Sequence, residues 1–248
     1  MVEARPLRVA TYNIQHGSTG SYKDPGDPEL AAEVCRQLDA DILGLQEVDR
    51  GIPRSAKVNM AAVIAKECNM DYYFASTRSH RGRGRFGNAL LVRGEIKNVE
   101  VLQLRGDWQR VAIGRRKLPL VPEPRNAIIA NVATQEHELA VGVTHTGGRT
   151  RKEMVGLAAA ALLTHDGPYV LLGDFNTNLV PARETLEPYG FGVLTPTYAT
   201  AADSPQRRHP QIDHIAIKGL RCVSREVREV EISDHDPFIA DLILPHRI

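Results

Sequence analysis

Cysteine is scarce: three residues in 248, at positions 35, 68 and 222, with no C-x-x-C pair among them. So sparse and odd a set excludes a disulfide framework and points to a reducing compartment, so a cytoplasmic location is expected. Long apolar runs are lacking as well. No stretch of 18 apolar residues occurs, and residues 1–8 lack the basic-then-apolar pattern of a secretory leader, so no membrane insertion is expected. Charge of one sign is missing too. The 31 basic residues nearly balance 30 acidic ones, leaving +1. No whole-molecule field draws a polyanion, and any electrostatic footprint must be local. Linkers, repeats and low-complexity segments are absent. The rest is ordinary globular usage, 42% hydrophobic and 25% charged, enough to bury a large core without staples. One domain over residues 1–248 is expected, as a monomer.

Short β-rich runs recur along the chain. Residues 7–14, 42–45, 72–75, 88–92, 99–104, 127–132 and 138–144 read as strands, and 169–172, 212–217, 227–232 and 238–244 follow. Between them lie helical patterns. Asp27-Pro28 supplies an N-cap and a first-turn proline for Leu30, Val34 and Leu38. Val58, Ala61, Ala62 and Ala65 mark a second helix. Thr150-x-x-Glu153 reads as a capping box ahead of Met154, Leu157, Ala158, Ala161 and Leu162. Cys35 and Cys68 fall on the apolar faces of the first two helices and read as buried free thiols. Residues 105–124 and 195–210 read as long loops, which in a compact domain are often functional. The class is therefore α/β, sheets flanked by helices.

The chemistry gathers where strands end. The first ends at Asn13, the next at Gln46-Glu47, then come Thr144-His145 and Gly173-Asp174-Phe175-Asn176. Later follow Asp213-His214 and Ser233-Asp234-His235-Asp236. If these ends meet at one edge, they make a carboxylate-rich pocket with two histidines. Carboxylate, amide and water ligands suit a hard cation, Mg²⁺ or Mn²⁺. With no cysteine in the set and no zinc-like histidine spacing, a structural zinc is disfavoured. Each residue taken singly could equally be a turn-capping group at a strand end.

In this order TYN (11–13), QE (46–47), THT (144–146), GDFN (173–176), IDH (212–214) and SDH (233–235) resemble the endonuclease/exonuclease/phosphatase superfamily with the deoxyribonuclease-I-like fold. FGNALLVR (86–93) and LQEVDR (45–50) look like its bacterial members. The resemblance implies a four-layer α/β/β/α sandwich of two mainly antiparallel mixed sheets, packed face to face with helices outside. It also implies metal-dependent cleavage of phosphate esters. It would make Glu47 the main metal ligand, with Asn13 and Asp234 completing or adjoining that site. Asp174 and Asn176 would face the scissile phosphate, Asp174 orienting or deprotonating the attacking water. His235, held by Asp213, would contact the phosphate or act as base, and His145 would donate to a phosphate oxygen. Where some relatives carry an acid two positions after the first asparagine, this chain has Gln15.

Arg81, Arg83 and Arg85 alternate with glycines before the strand at 88–92. The default is a solvated loop; the sharper reading is a phosphate-gripping arm, since guanidinium forks match phosphate geometry. Asn88 and Arg125 join this substrate-binding group, with a structural salt bridge equally open for Arg125. Together these residues favour nucleic acid, DNA or RNA, as the substrate of a nuclease-type phosphodiesterase. The alternatives are a hydrolase of small or lipid-headgroup phosphoesters on the same site, and, more remotely, an inactive binding module.

Overall fold

Alternation along the strands sets the architecture, because successive side chains point to opposite faces. The computed structural model describes residues 5–79, 84–106, 109–113, 116–120, 123–134, 136–196 and 212–244. In chain order they form β1 (Leu7–Asn13), α1 (Pro28–Gln37), β2 (Ile42–Arg50), α2 (Met60–Cys68), β3 (Asp71–Ser79), β4 (Arg85–Val92) and β5 (Gly94–Leu104). Next come β6 (Gln109–Ile113), β7 (Arg116–Leu120), β8 (Arg125–Thr134), β9 (Glu138–His145), α3 (Arg151–Leu162) and β10 (Tyr169–Asp174). The rest are α4 (Leu179–Leu186), β11 (Gly192–Val193), β12 (Asp213–Lys218), β13 (Arg221–Val227) and β14 (Phe238–Ile243).

Two six-stranded sheets result, in the orders β13-β14-β1-β2-β4-β3 and β11-β12-β10-β9-β8-β5. Three apolar layers hold them. Val9, Ile42, Leu90, Ile128, Val141, Leu172 and Ile215 fill the space between the sheets. The alternate residues, such as Ala10, Leu43 and Leu91, pack outward against α1 and α2. On the other side Ile129, Leu171 and Ala216 pack against α3 and α4. This is the four-layer sandwich expected. The sheets pack tightly at Gly44, where an added Cβ would stand 3.0 Å from Leu172 Cβ and 3.1 Å from a Val143 methyl.

The topology fixes which strand ends meet. At the centre of each sheet lies a parallel pair, β1 with β2 and β9 with β10. Both pairs therefore finish at the same edge, bringing Asn13, Glu47, His145 and Asp174 together. Antiparallel neighbours start there: β12 at Asp213, β8 at Arg125, and β14 just after the 233–236 segment.

The structure corrects several local readings. Asp27 caps α1 as expected, accepting from Leu30 N at 2.9 Å. Thr150 does not form its capping box; at φ −92°, ψ 15° it lies outside the extended conformation a capping side chain needs. Residues 105–124 are not simply a loop, since β6 and β7 pair as an antiparallel ribbon. The strand expected at 227–232 lies earlier, at β13, and residues 228–237 are irregular. Their apolar alternation serves packing instead: Val230 and Ile232 sit against the α1–α2 layer.

Candidate active site

The same every-second-residue positions that build the inter-sheet core turn polar at the shared edge. Asn13 and Thr11 extend the inward row of β1; Asn88, Asn126, His145, Asp174 and Asp213 extend those of β4, β8, β9, β10 and β12. All are at most 4% exposed. Polar groups so buried need partners, and here they are one another. Beneath them Thr11 and Gln46 hydrogen-bond, 3.2 Å from Gln46 Nε2 to Thr11 Oγ1, separating the polar tier from the apolar core.

Glu47 reaches the tier through a β-bulge. Leu45 pairs with Ala89 and Val48 with Gly87, so Gln46 and Glu47 together oppose the single residue Asn88. Glu47 takes φ +58°, and Asn176 (+50°) and Ser233 (+72°) are also left-handed non-glycines. Such conformations cost of order 1–3 kcal/mol each and cluster at functional sites. Glu47 Oε1 accepts from Asn13 Nδ2 at 3.3 Å, while Oε2 is buried with no hydrogen-bond partner. Burial pushes the carboxyl above the ordinary carboxylate range, against the Asn13 hydrogen bond and the charges of His235 and Arg125. A buried carboxylate oxygen without a donor, in a site of oxygen ligands, fits a hard divalent cation. Glu47 would hold it, with Asp234 and the Asn13 amide beside it.

Asp174 is the hub. Its Oδ2 accepts from Asn13 Nδ2 at 3.1 Å, its Oδ1 accepts from Asn176 N at 2.8 Å, and His145 Nε2 and His235 Nε2 stand 3.4 and 3.8 Å away. Burial first, then the Asp213 charge, raise its carboxyl to about 7. His235 Nδ1 lies 2.7 Å from Asp213 Oδ2, a carboxylate–imidazole dyad that leaves Nε2 facing Asp174 and Asp234. Burial pulls the His235 imidazole down, but the charge and hydrogen bond of Asp213, with the charges of Asp174 and Asp234, carry it to about 10. Ligand atoms of Asp174, Asp213 and His235 all lie within 4.8 Å of one another. Two of the three are already joined by the dyad's short hydrogen bond, so proton handling suits this group better than cation binding.

Asn176 Nδ2 donates to Thr146 O at 2.8 Å and meets His145 Nε2 at 3.2 Å. The amide is the donor there, so Nε2 accepts and the ring is neutral. Burial and the charges of Arg125 and His235 hold His145 well below the usual histidine range. Donation from His145 Nε2 to a phosphate would need the protonated nitrogen its surroundings oppose, and both hydrogens of Asn176 Nδ2 are taken by Thr146 O and His145 Nε2. Ser233, not singled out from the sequence, anchors the 233–236 segment by donating to Asn13 O at 2.6 Å and accepting from His235 N at 3.1 Å.

Arg125 lies near His145 and Glu47, whose titrations its charge lowers, and it donates to Glu123 Oε2 at 2.8 Å. Its guanidinium rests against Gly147, where a Cβ would come within 3.1 Å of Nη2. Arg85 is exposed at the start of β4. Arg81 and Arg83 lie outside the described residues. Two further cations escaped the sequence reading: Arg54 and Arg78 flank the Phe86 ring at 5.8 and 5.6 Å from its centroid. Asn88, expected at the substrate, is 1% exposed and bonded to Asn126.

His214, next to Asp213, turns away from the site. Its Nε2 donates to Thr177 O at 2.7 Å, and burial lowers its pKa. Unfolded, it titrates near 6.5. Its contribution to stability is therefore present above about pH 6.5 and lost as pH falls toward the lower folded value. His214→Gln retains a donor near that position without the titration. Melting curves at about pH 7.5 and pH 5 should show a smaller acid loss for the variant, up to ~1.4 kcal/mol per pH unit smaller. Identical acid losses would contradict it.

The sequence pattern of the Endonuclease/Exonuclease/phosphatase family matches residues 10–235. A UPF0294 protein of Vibrio vulnificus (strain YJ016) is 28% identical over 160 residues, 60% of this chain and 56% of that relative. The match thus spans little more than half of the relative's length. Among solved structures, the endonuclease/exonuclease/phosphatase from Bacteroides vulgatus superposes with TM-score 0.71 and 20% identity, over 98% of this chain and 100% of that one. The protein of the same description from Beutenbergia cavernae DSM 12333 gives 0.70 and 20%, over 97% and 72%. At these identities the likeness speaks to the fold.

Proposed function

The chain belongs to the endonuclease/exonuclease/phosphatase family, and within it we propose that this protein is a divalent-cation-dependent phosphodiesterase acting on nucleic acid. The observation that carries the reading is the single buried tier in which Glu47, with an unpartnered carboxylate oxygen, lies beside Asp174 and the Asp213–His235 dyad. In-line hydrolysis of a phosphodiester needs an oriented water, a group to take its proton, and positive charge or donors where negative charge develops. Asp174, reached by both histidines and held by Asn13 and Asn176, orients the water and takes its proton. His235, fixed through Nδ1 by Asp213, turns Nε2 toward the phosphate. Asn176, its side-chain amide held by Thr146 O and the neutral His145 ring, positions Asp174 through its backbone N–H. A Mg²⁺ or Mn²⁺ ion held by Glu47, with Asp234 and Asn13, would offset the charge building on the phosphate and the leaving oxygen.

The nucleic-acid part rests on the arginines at the rim. Arg78, Arg85 and Arg125 come from β3, β4 and β8; Arg54, in the segment after β2, is itself held by Asp49 at 2.7 and 2.9 Å and, with Arg78, flanks the Phe86 ring. Phosphate contacts of this kind make turnover fall with salt, with a slope set by the number of contacts. Between about 50 and about 200 mM salt, cleavage of a polynucleotide should fall steeply and that of bis-p-nitrophenyl phosphate little. Arg78→Ala and Arg85→Ala should each lower the polymer's salt slope by about 1 and spare the small diester. Equal salt dependence for both substrates would remove the nucleic-acid reading.

A further inference from the structure

One polar pair in the tier has no part in the chemistry above. Asn88 and Asn126 face each other across the gap between the sheets. Asn88 Nδ2 donates to Asn126 Oδ1 at 2.8 Å and to Asn126 O at 3.2 Å, and Thr144 Oγ1 donates to the same carbonyl at 3.1 Å. Asn126 Nδ2, in a residue with no exposure, has no hydrogen-bond partner. Its orientation is set by Asn88, because turning the amide over would press two NH₂ groups together. A buried donor left over in this way calls for an explanation. Two apolar residues of similar shape would close the gap without it.

The pair's location supplies one. Asn88 opposes the bulge that carries Glu47. Asn126 is one rung beyond the Ala127–Thr144 pair, alongside His145. Among the described residues, side-chain hydrogen bonds tie the two halves of the site at these places. Asn13–Asp174 joins β1 to β10 in the middle. Asp213–His235 lies on one flank, and Asn88–Asn126, from β4 to β8, on the other. Glu47 and His145, on β2 and β9, lie between the middle tie and the Asn88–Asn126 tie in the strand order of each sheet.

We propose that Asn88 and Asn126 are positioning residues: their amide tie fixes the separation of Glu47 from His145, and so the width of the space that takes the cation and the phosphate. The inference rests on the phosphodiesterase reading, since the width matters only if the gap is filled that way.

The test compares Asn88→Leu, which removes both hydrogen bonds at similar size, with Asn126→Asp, which keeps an acceptor for Asn88 Nδ2. Mn²⁺ is titrated calorimetrically into the substrate-free protein, and kcat and KM are measured on bis-p-nitrophenyl phosphate. Partners that orient a site's ligands are commonly worth 10–100-fold. Asn88→Leu should bind Mn²⁺ at least about tenfold more weakly and lose about 10–100-fold in kcat, with a smaller change in KM. Asn126→Asp should bind Mn²⁺ at least as tightly as the parent. If Asn88→Leu does not stay folded at the assay temperature, Asn88→Ser, too short to span the gap, should show the same losses. A folded variant of either kind with Mn²⁺ affinity and kcat within about threefold of the parent overturns the proposal. Failure of the parent itself to bind Mn²⁺ would instead strike the phosphodiesterase reading, with no variant involved.

Discussion

Glu47→Gln is expected to lower metal-dependent kcat/KM by about 10³-fold, about 4 kcal/mol of transition-state stabilisation, while leaving the fold intact. The substitution is nearly isosteric, and Gln can still accept the Asn13 hydrogen bond through its carbonyl oxygen. What it removes is the charge, together with the buried Oε2 that lacks a donor. Because burial already disfavours the charged form of Glu47, the protein is expected to gain thermal stability or stay unchanged. A melting temperature at or above the parent's, beside collapsed turnover and weakened Mn²⁺ binding, is the outcome to look for. Parent-like turnover would show that Glu47 holds no metal.

Asp213→Asn should be comparably damaging by a different route. The carboxylate fixes His235 through Nδ1 at 2.7 Å and is the chief source of the raised imidazole pKa. An amide cannot hold the same tautomer with the same charge, and the analogous change in a serine-protease triad costs about 10⁴-fold. A loss of about 10²–10⁴ in kcat is expected, with KM much less affected. The pH profile should also change. With Asp213 in place the folded His235 keeps its proton to about pH 10, so the dyad's contribution to stability is present below about pH 6.5 and lost as pH rises through about 10. In the variant that alkaline loss should shrink or vanish. An unchanged kcat would mean that His235 does not need its carboxylate.

Much of this site was legible because polar residues ended otherwise apolar strands. Asn13, His145, Asp174 and Asp213 each continue an inward-facing row, and alternation carries such a row to the sheet edge without knowledge of the rest of the fold. The Asp27 cap was legible for the same local reason. Other features depend on partners far apart in sequence. The bulge at Gln46–Glu47 exists only relative to β4, and the Asn88–Asn126 tie only relative to the opposite sheet. Nothing local marks Asn126 as more than a strand-start amide. Residues 227–232 misled because Val230 and Ile232 pack a loop against helices as a strand would pack its face. The β6–β7 ribbon escaped because its arginines and prolines read as loop.

Hydrolysis in the presence of Mg²⁺ or Mn²⁺ and then EDTA tests the central claim most directly. The substrates are single- and double-stranded DNA, RNA and bis-p-nitrophenyl phosphate. The account predicts cleavage of at least one polynucleotide and of the small diester, abolished by EDTA and restored by added Mn²⁺. Cleavage that survives EDTA, or no cleavage of any phosphodiester by a protein that binds Mn²⁺, would contradict it.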